Sequence, residues 1–300
     1  MTGRRSWSSP SLCLKRRAHD YDRLVLEIAS PPPLAAGCLR LLEPVGSSQA
    51  ELLQQLIDGS YRKPFIEDSG PLRYLHFQLD NVQSVMRIDD PYALCLAYTR
   101  KMMAFLLFNC APRRILQLGL GGGSLAKFCY KHLPDAALTV VEIDRDVLAL
   151  RDEFQVPPND ERFQVVEGNG VEYINQAGPR DDVVIVDACD RDGLSPTLLA
   201  SELYSNLRRR LTLNGVLVVN ICGDEDEVES HLARIRGVFG QRVITLPAKE
   251  DGNLIVLGFR REPREWEGAE LDAYSRRLEE RFGLAFPRYA RQMEYGLRGL

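Results

Sequence analysis

The sequence predicts an α/β fold, a doubly wound and mostly parallel sheet over residues 91–262, preceded by a small β domain. Three observations carry this. Stretches of strand and helix character alternate: "RILQLGL", "SLAKFCYKHL", "ALTVVEID", "RDVLALRDEF", "FQVVEGNG", "DVVIVDACD", "LYSNLRRRL" and "GVLVVNIC". The strands among them are almost continuously apolar, the pattern of strands covered by helices on both faces. The first strand runs into a glycine-rich turn, Gly119-Leu120-Gly121-Gly122-Gly123, and a helix opens at about Ser124. Bare backbone at the carboxyl end of a first strand lets a ligand approach closely.

The flanking segments differ in texture. Residues 1–45 are rich in Ser, Pro and Arg, with "SPPPLAAG" at Ser30 to Gly37, and read as a flexible N-terminal arm. Residues 46–90 read as a small β-hairpin domain, because "LRYLHFQLDNVQSVMRI" alternates in short β-like stretches broken at Asp80-Asn81. Asp89-Asp90-Pro91 reads as a helix start, since acids and proline suit a first turn, and apolar residues recur at Leu94, Tyr98, Met102 and Leu106. Residues 263–300, with "EWEGAELDAYSRRLEERFGLAFPRYARQ", have helical spacing and read as a C-terminal helical tail packed on the outside.

Composition excludes several classes of function. The 300 residues carry a formal net charge of -4, which disfavours binding to a nucleic-acid backbone as the main activity. Arg208-Arg209-Arg210 reads as a solvated helix end. The seven cysteines are scattered and form no C-x-x-C pair, arguing against a disulfide framework or zinc site and for a cytoplasmic location. The four histidines lack metal-binding spacing, so no metal is expected. The longest apolar run, Met102 to Phe108, is far short of the ~18 residues of a membrane span, and no export signal follows Arg4 and Arg5.

Strand ends carry the candidate chemistry. Glu142 ends "VVE", 23 positions after Gly119 (142 minus 119), where an acid can accept both ribose hydroxyls of a nucleoside. Asn169 and Gly170, in "EGNGVEY", follow the third strand, near the expected adenine edge. The spacing G-x-G-G-G differs from the dinucleotide pattern G-x-G-x-x-G and points to an S-adenosyl donor. Asp187 and Asp190 end the fourth strand; one carboxylate there can take the proton of an amine nucleophile while the other holds its cationic form. Each has a plainer reading: a tight turn for the glycines, a helix-start acid for Glu142, a turn residue for Asn169, a loop cap for Asp187 and a solvated acid for Asp190. "DEDE" at Asp224 to Glu227 and Asp192 add acids on the same edge, although "DEDE" also suits a helix start.

The ordered set, a small β domain, "YTRKMM", "ILQLGLGGGSL", "VVEID", "EGNG", "VVIVDACD" and "LYSNLRRRLTLNGVLVVN", resembles the spermidine synthase (polyamine aminopropyltransferase) family over about residues 60–260. The resemblance implies a Rossmann-like fold of the S-adenosylmethionine-dependent methyltransferase type. It implies aminopropyl transfer from decarboxylated S-adenosylmethionine, a co-substrate and not a resident cofactor, to a small-molecule amine, with a homodimer formed through the N-terminal β domain. By that resemblance Gly119, Gly121 and Gly123 line the donor, Glu142 takes its ribose, Asn169 stands where an acid commonly meets adenine, and Asp187 is the base of a D-x-x-D pair. Tyr98 and Arg100 fall where the family has Tyr-His-Glu facing substrate.

The departures leave a second reading open. The family loop typically reads G-G-G-D-G-G, and no carboxylate lies between Gly119 and Gly123 here. A tyrosine-bearing stretch is replaced by "LPAKEDGNLIV", without an aromatic. A donor that keeps its carboxylate could pair with Arg100, which implies methyl transfer from S-adenosylmethionine; Arg100 as a plain surface residue is the bland counterpart. A non-catalytic nucleoside-binding relative is the third reading.

Overall fold

Alternating burial builds the N-terminal layer of the computed structural model, which describes residues 26–30, 37–44, 46–190, 193–194, 201–250 and 252–298. β1 (Leu26–Ala29) and β2 (Cys38–Leu41) bury Leu26, Ile28, Leu39 and Leu41, every second residue, and pair antiparallel. β3 (Phe65–Ser69), β4 (Leu72–Gln78) and β5 (Asn81–Arg87) complete a five-stranded antiparallel sheet in chain order. α1 (Gln49–Ile57), its N-terminus capped by the Ser48 hydroxyl, lays Leu52 and Leu56 against Leu39, Leu41 and Phe65. Ile66, Leu75 and Met86 join the main core instead.

β1 and β2 fall inside the stretch read as an arm. They are strands because β3 offers them an edge and their apolar residues have a period of two. Residues 1–25 and 31–36 lie outside the described residues. The helix expected from Pro91 also begins later than the sequence suggests. Residues 90–93 form a turn, with Ala93 N donating to Asp90 O at 3.1 Å, and α2 spans only Ala97–Met102 before a 3₁₀ turn at Met103–Leu107. The Arg100 guanidinium donates to the carbonyl oxygens of Leu94, at 3.0 Å, and Cys95, which holds these residues outside the helix.

The main sheet follows the expected alternation. β6 (Arg114–Leu118), α3 (Ser124–His132), β7 (Ala137–Glu142), α4 (Arg145–Ala149), β8 (Phe163–Glu167), α5 (Gly170–Asn175) and β9 (Asp181–Val186) come first. A two-stranded hairpin, β10 (Cys189–Asp190) with β11 (Gly193–Leu194), follows. Then come α6 (Ser201–Arg210), β12 (Leu211–Ile221), α7 (Glu225–Phe239), β13 (Val243–Ala248), β14 (Asn253–Phe259), α8 (Gly268–Phe282) and α9 (Phe286–Arg298). The strand order is β13-β14-β12-β9-β6-β7-β8, parallel except where β14 pairs with β12 and β13.

Period-two alternation divides the strands between two faces. Ile115, Val140, Val183, Ile185 and Val218 pack toward α3 and the C-terminal helices, whereas Leu116, Leu118, Val184, Val186 and Val219 pack toward α6 and α7. The C-terminal tail is therefore part of the main core and not an outer layer: Leu271, Leu278, Phe282, Phe286, Tyr289 and Met293 are buried in it. The apolar stripe that predicts its helices needs a partner, and the sheet face supplies one. Among the described residues no helix is long and apolar enough to cross a membrane.

The chain steps outward from β6 through β7 to β8 and returns to β9 on the other side of β6. The strand order reverses there, opening a crevice at the carboxyl ends of β6 and β9. At the opposite end of β9, buried Asp181 accepts from Arg210 Nε at 2.7 Å. Asp181→Ala leaves that guanidinium buried without its carboxylate, and stability is expected to fall by about 3–5 kcal/mol. The urea midpoint checks this, and ligand binding at the far crevice should be unchanged.

Candidate active site

The crevice is shaped first by backbone. After Leu118 the chain turns at Gly119, with φ of 91°, and a Cβ there would lie 2.1 Å from the Asp187 carbonyl oxygen. Only glycine lets β6 and β9 run this close. Asp187 N donates to Leu118 O at 3.0 Å and Gly119 N to Val141 O at 2.9 Å, so the turn is tied to both neighbouring strands. Glu142, at the end of β7, secures the next residue: its Oε2 accepts from Leu120 N at 2.7 Å and its Oε1 from Asp144 N at 2.8 Å. Burial raises the Glu142 carboxyl above its usual range, against the lowering effect of these N–H groups. A carboxylate has about four acceptor positions, so two remain for a ligand.

A cavity of about 760 Å³ opens over these strand ends, walled by the β4–β5 hairpin and by α2. Of the residues singled out from the sequence, Gly119, Gly121, Glu142, Asn169, Gly170, Asp187 and Tyr98 line it. Asn169 also has the plainer role, since its Oδ1 caps α5 by accepting from Val171 N and Glu172 N, which leaves the amide N–H groups for other partners. Gly123 does not line the cavity; it precedes α3 and packs against Val156. Arg100 is likewise absent from the lining, its guanidinium being spent on the Leu94 and Cys95 carbonyls. The side chain of Asp190, and all of Asp192, lie outside the described residues. Asp224 and Glu227 form a capping box on α7, the plainer reading of "DEDE".

Asp187 is the centre of a side-chain relay. Its Oδ1 accepts from Asn220 Nδ2 at 2.9 Å and its Oδ2 from the Tyr98 hydroxyl at 3.4 Å, while Asn253 Nδ2 donates to Asn220 Oδ1 at 2.9 Å. Burial pushes the Asp187 carboxyl up to about 6, against the lowering effect of Asn220 and Tyr98. Sequence reasoning misses both asparagines. Asn220 carries a signal, a polar residue ending an apolar strand just as Asp187 does; Asn253 carries none, because only the β12–β14 pairing brings it here.

Three further features emerge only in three dimensions. A Cβ at Gly122 would lie 2.6 Å from Ser84 Oγ and 2.9 Å from the Phe154 ring, so the absent loop carboxylate has no room at this position. Two buried lysines brace the walls: Lys101 Nζ donates to Pro247 O at 2.6 Å and Lys127 Nζ to Phe154 O at 2.6 Å. Burial lowers Lys127 to about 7. Cys222, in the lining, is disulfide-bonded, which the cysteine spacing did not predict.

The spermine/spermidine synthase domain model matches residues 95–242. A polyamine aminopropyltransferase of Chromobacterium violaceum is 37% identical over 230 residues, covering 76% of this chain and 88% of the relative. The chain belongs to the spermine/spermidine synthase family. Among solved structures, a probable spermidine synthase from Corynebacterium glutamicum superposes with a TM-score of 0.61 at 22% identity, covering 77% of this chain and 92% of that one. A spermidine synthase in complex with the transition-state analogue AdoDATO matches with a TM-score of 0.60 at 15% identity, covering 96% and 99%. These likenesses agree on the fold.

For a spermine/spermidine synthase family member, the glycine turn predicts a sharp steric dependence. Gly119→Ala forces a Cβ onto the Asp187 carbonyl and disfavours the positive φ. A loss of at least about 1–3 kcal/mol is expected. A lowered melting temperature, with methylthioadenosine binding lost at temperatures where the variant remains folded, would check it.

Proposed function

We propose that this protein transfers the aminopropyl group of decarboxylated S-adenosylmethionine to an amine of a small polyamine, with Asp187 as the base. The observation that carries the reading is electrostatic. Among the described residues the cavity is lined by the carboxylates of Glu142, Asp144 and Asp187 and by no lysine, arginine or histidine. Decarboxylated S-adenosylmethionine carries a sulfonium and an ammonium with no compensating carboxylate, and its acceptor is a polycation. Both suit a cavity of negative sign. Methyl transfer from S-adenosylmethionine has less support, since Arg100 does not line the cavity and, among the described residues, no other cation lines it to meet a donor carboxylate.

The chemistry follows from alignment. The acceptor nitrogen attacks the propyl methylene attached to sulfur, the carbon–sulfur bond breaks, and methylthioadenosine leaves as a neutral thioether. The proton on nitrogen passes to Asp187. A sulfonium is a good leaving group, so the protein supplies proximity and a free amine lone pair. In this reading Glu142 and the amide of Asn169 hold the ribose and adenine; both line the cavity, and Tyr98 and Asn220 hydrogen-bond the Asp187 carboxylate.

Asp187 works as a base when ionised, so turnover is expected to rise with pH through about 6. Asn220→Ala removes a hydrogen bond that lowers the Asp187 value, and the acidic limb of the rate–pH profile should move to higher pH. A profile unmoved in this variant would count against Asp187 as the base.

Asp187→Asn should lower kcat by roughly a hundred- to ten-thousand-fold, measured by methylthioadenosine release from decarboxylated S-adenosylmethionine and putrescine. Its effect on stability has the opposite sign. The folded value of about 6 lies above the ordinary 3.8, so the folded state binds the extra proton and stability falls as pH rises through about 6. Asparagine still accepts from Asn220 without the buried charge. At pH 7 the variant is expected to melt at or a few degrees above wild type, and the difference should close below pH ~4.

A further inference from the structure

Gln117 is a glutamine on an otherwise apolar strand, Ile115 to Leu118, and it is 1% exposed. Its neighbours on the same face of β6 and β9, Ile115, Val183 and Ile185, are core residues. A buried carboxamide there is costly unless both its ends are used. One end is: Nε2 donates to the Gly119 carbonyl at 2.7 Å. That bond settles the orientation of the amide, because a flipped Gln117 would set its own oxygen against the Gly119 oxygen. Oε1 is left buried, and among the described residues no protein group donates to it.

The position of this oxygen is informative. Gln117 lines the cavity. By strand alternation it shares a sheet face with Ile185 and Val218, hence with Asp187 and Asn220 two residues further along β9 and β12. Oε1 therefore belongs to the reactive end of the cavity and not to its nucleoside end at Glu142 and Asn169. Gly122, where the Ser84 contact leaves the glycine loop no space for a carboxylate, lines the same cavity.

We propose that Gln117 Oε1 accepts a hydrogen bond from an amine N–H of the cationic substrate and recognises it with a neutral carbonyl where no loop acid can stand. The proposal rests on the aminopropyl-transfer reading. The amine has two possible sources, the ammonium of the donor's aminopropyl group and a nitrogen of the acceptor, and these are separable by titration. Gln117 acts as a binding residue and carries no proton.

Two substitutions of similar size isolate the acceptor from the strut. Gln117→Met and Gln117→Glu both lose the N–H donated to Gly119 O, but only Glu keeps an oxygen at the end of the side chain. Calorimetric titrations would use methylthioadenosine, which has no amine; decarboxylated S-adenosylmethionine; and putrescine added to the methylthioadenosine complex.

The expected result is that Gln117→Met binds one amine-bearing ligand roughly tenfold or more weakly, as for a lost hydrogen bond to a charged group, while Gln117→Glu binds it at least as tightly as wild type. Methylthioadenosine affinity should agree within about twofold between the two variants, since both lose the same bond to Gly119 O, so a difference between Met and Glu reads the acceptor oxygen. Loss with decarboxylated S-adenosylmethionine alone identifies the donor ammonium, and loss with putrescine alone identifies the acceptor. Equal losses in Met and Glu, or no loss in either, would overturn the proposal and leave Gln117 a strut for the loop. Failure of wild type to bind methylthioadenosine would overturn the underlying donor-site reading and this inference with it.

Discussion

The contact on which the site depends is between two stretches of backbone. Gly119 passes so close to the Asp187 carbonyl that a methyl group cannot be inserted, and this approach sets the distance between the glycine loop and the strand that leads into Asp187. Parallel strands at a switch point separate naturally, since the chain leaves β6 and β9 toward opposite sides of the sheet. The bond from Asp187 N to Leu118 O keeps them together for one further residue, and that from Gly119 N to Val141 O ties the turn to β7. Glu142 then pins Leu120 by its own carboxylate, so one acid shapes the loop and still offers acceptors to a ligand.

Charge in and around the cavity is arranged by sign. The acids face inward, and the buried lysines of the walls are turned away onto backbone carbonyls. Lys101 ties α2 to the β13–β14 hairpin, and its ammonium is also 3.2 Å from Glu250 Oε2. Lys127 ties α3 to the Phe154 carbonyl, and burial holds its value down. Such lysines can brace helices without cancelling the negative sign of the cavity. The buried Asp187 costs stability at neutral pH, the expected trade between a strained site and a useful one.

The N-terminal sheet is a wall of the site as well as an appendage. Its β4–β5 hairpin brings Ser84 against Gly122 and supplies part of the cavity lining, while Ile66, Leu75 and Met86 merge its inner face with the main core. The absence of a loop acid and the presence of Ser84 are consequently one steric fact seen from two sides. A serine on the N-terminal sheet and a glycine in the loop after β6 jointly decide what that part of the cavity can contain.

Much of this was legible in the chain. The period of the apolar residues determined the strands and their two faces, and the glycine run, Glu142, Asn169 and Asp187 stood out as glycine or polar residues at or just after the ends of apolar strands. Local signals failed where the partner was distant. The helix start at Pro91 was overridden by Arg100 capping carbonyls five and six residues back, and the C-terminal stripe became core because a sheet face was waiting for it. Ser84, Gln117 and Asn253 read as ordinary polar residues until sheet pairing and packing closed around them. Sequence alone determined the order of the elements and the chemistry at their ends, since both follow from local periodicity. Tertiary structure decided which polar atoms share one enclosed volume, since that depends on contacts between residues far apart in the chain.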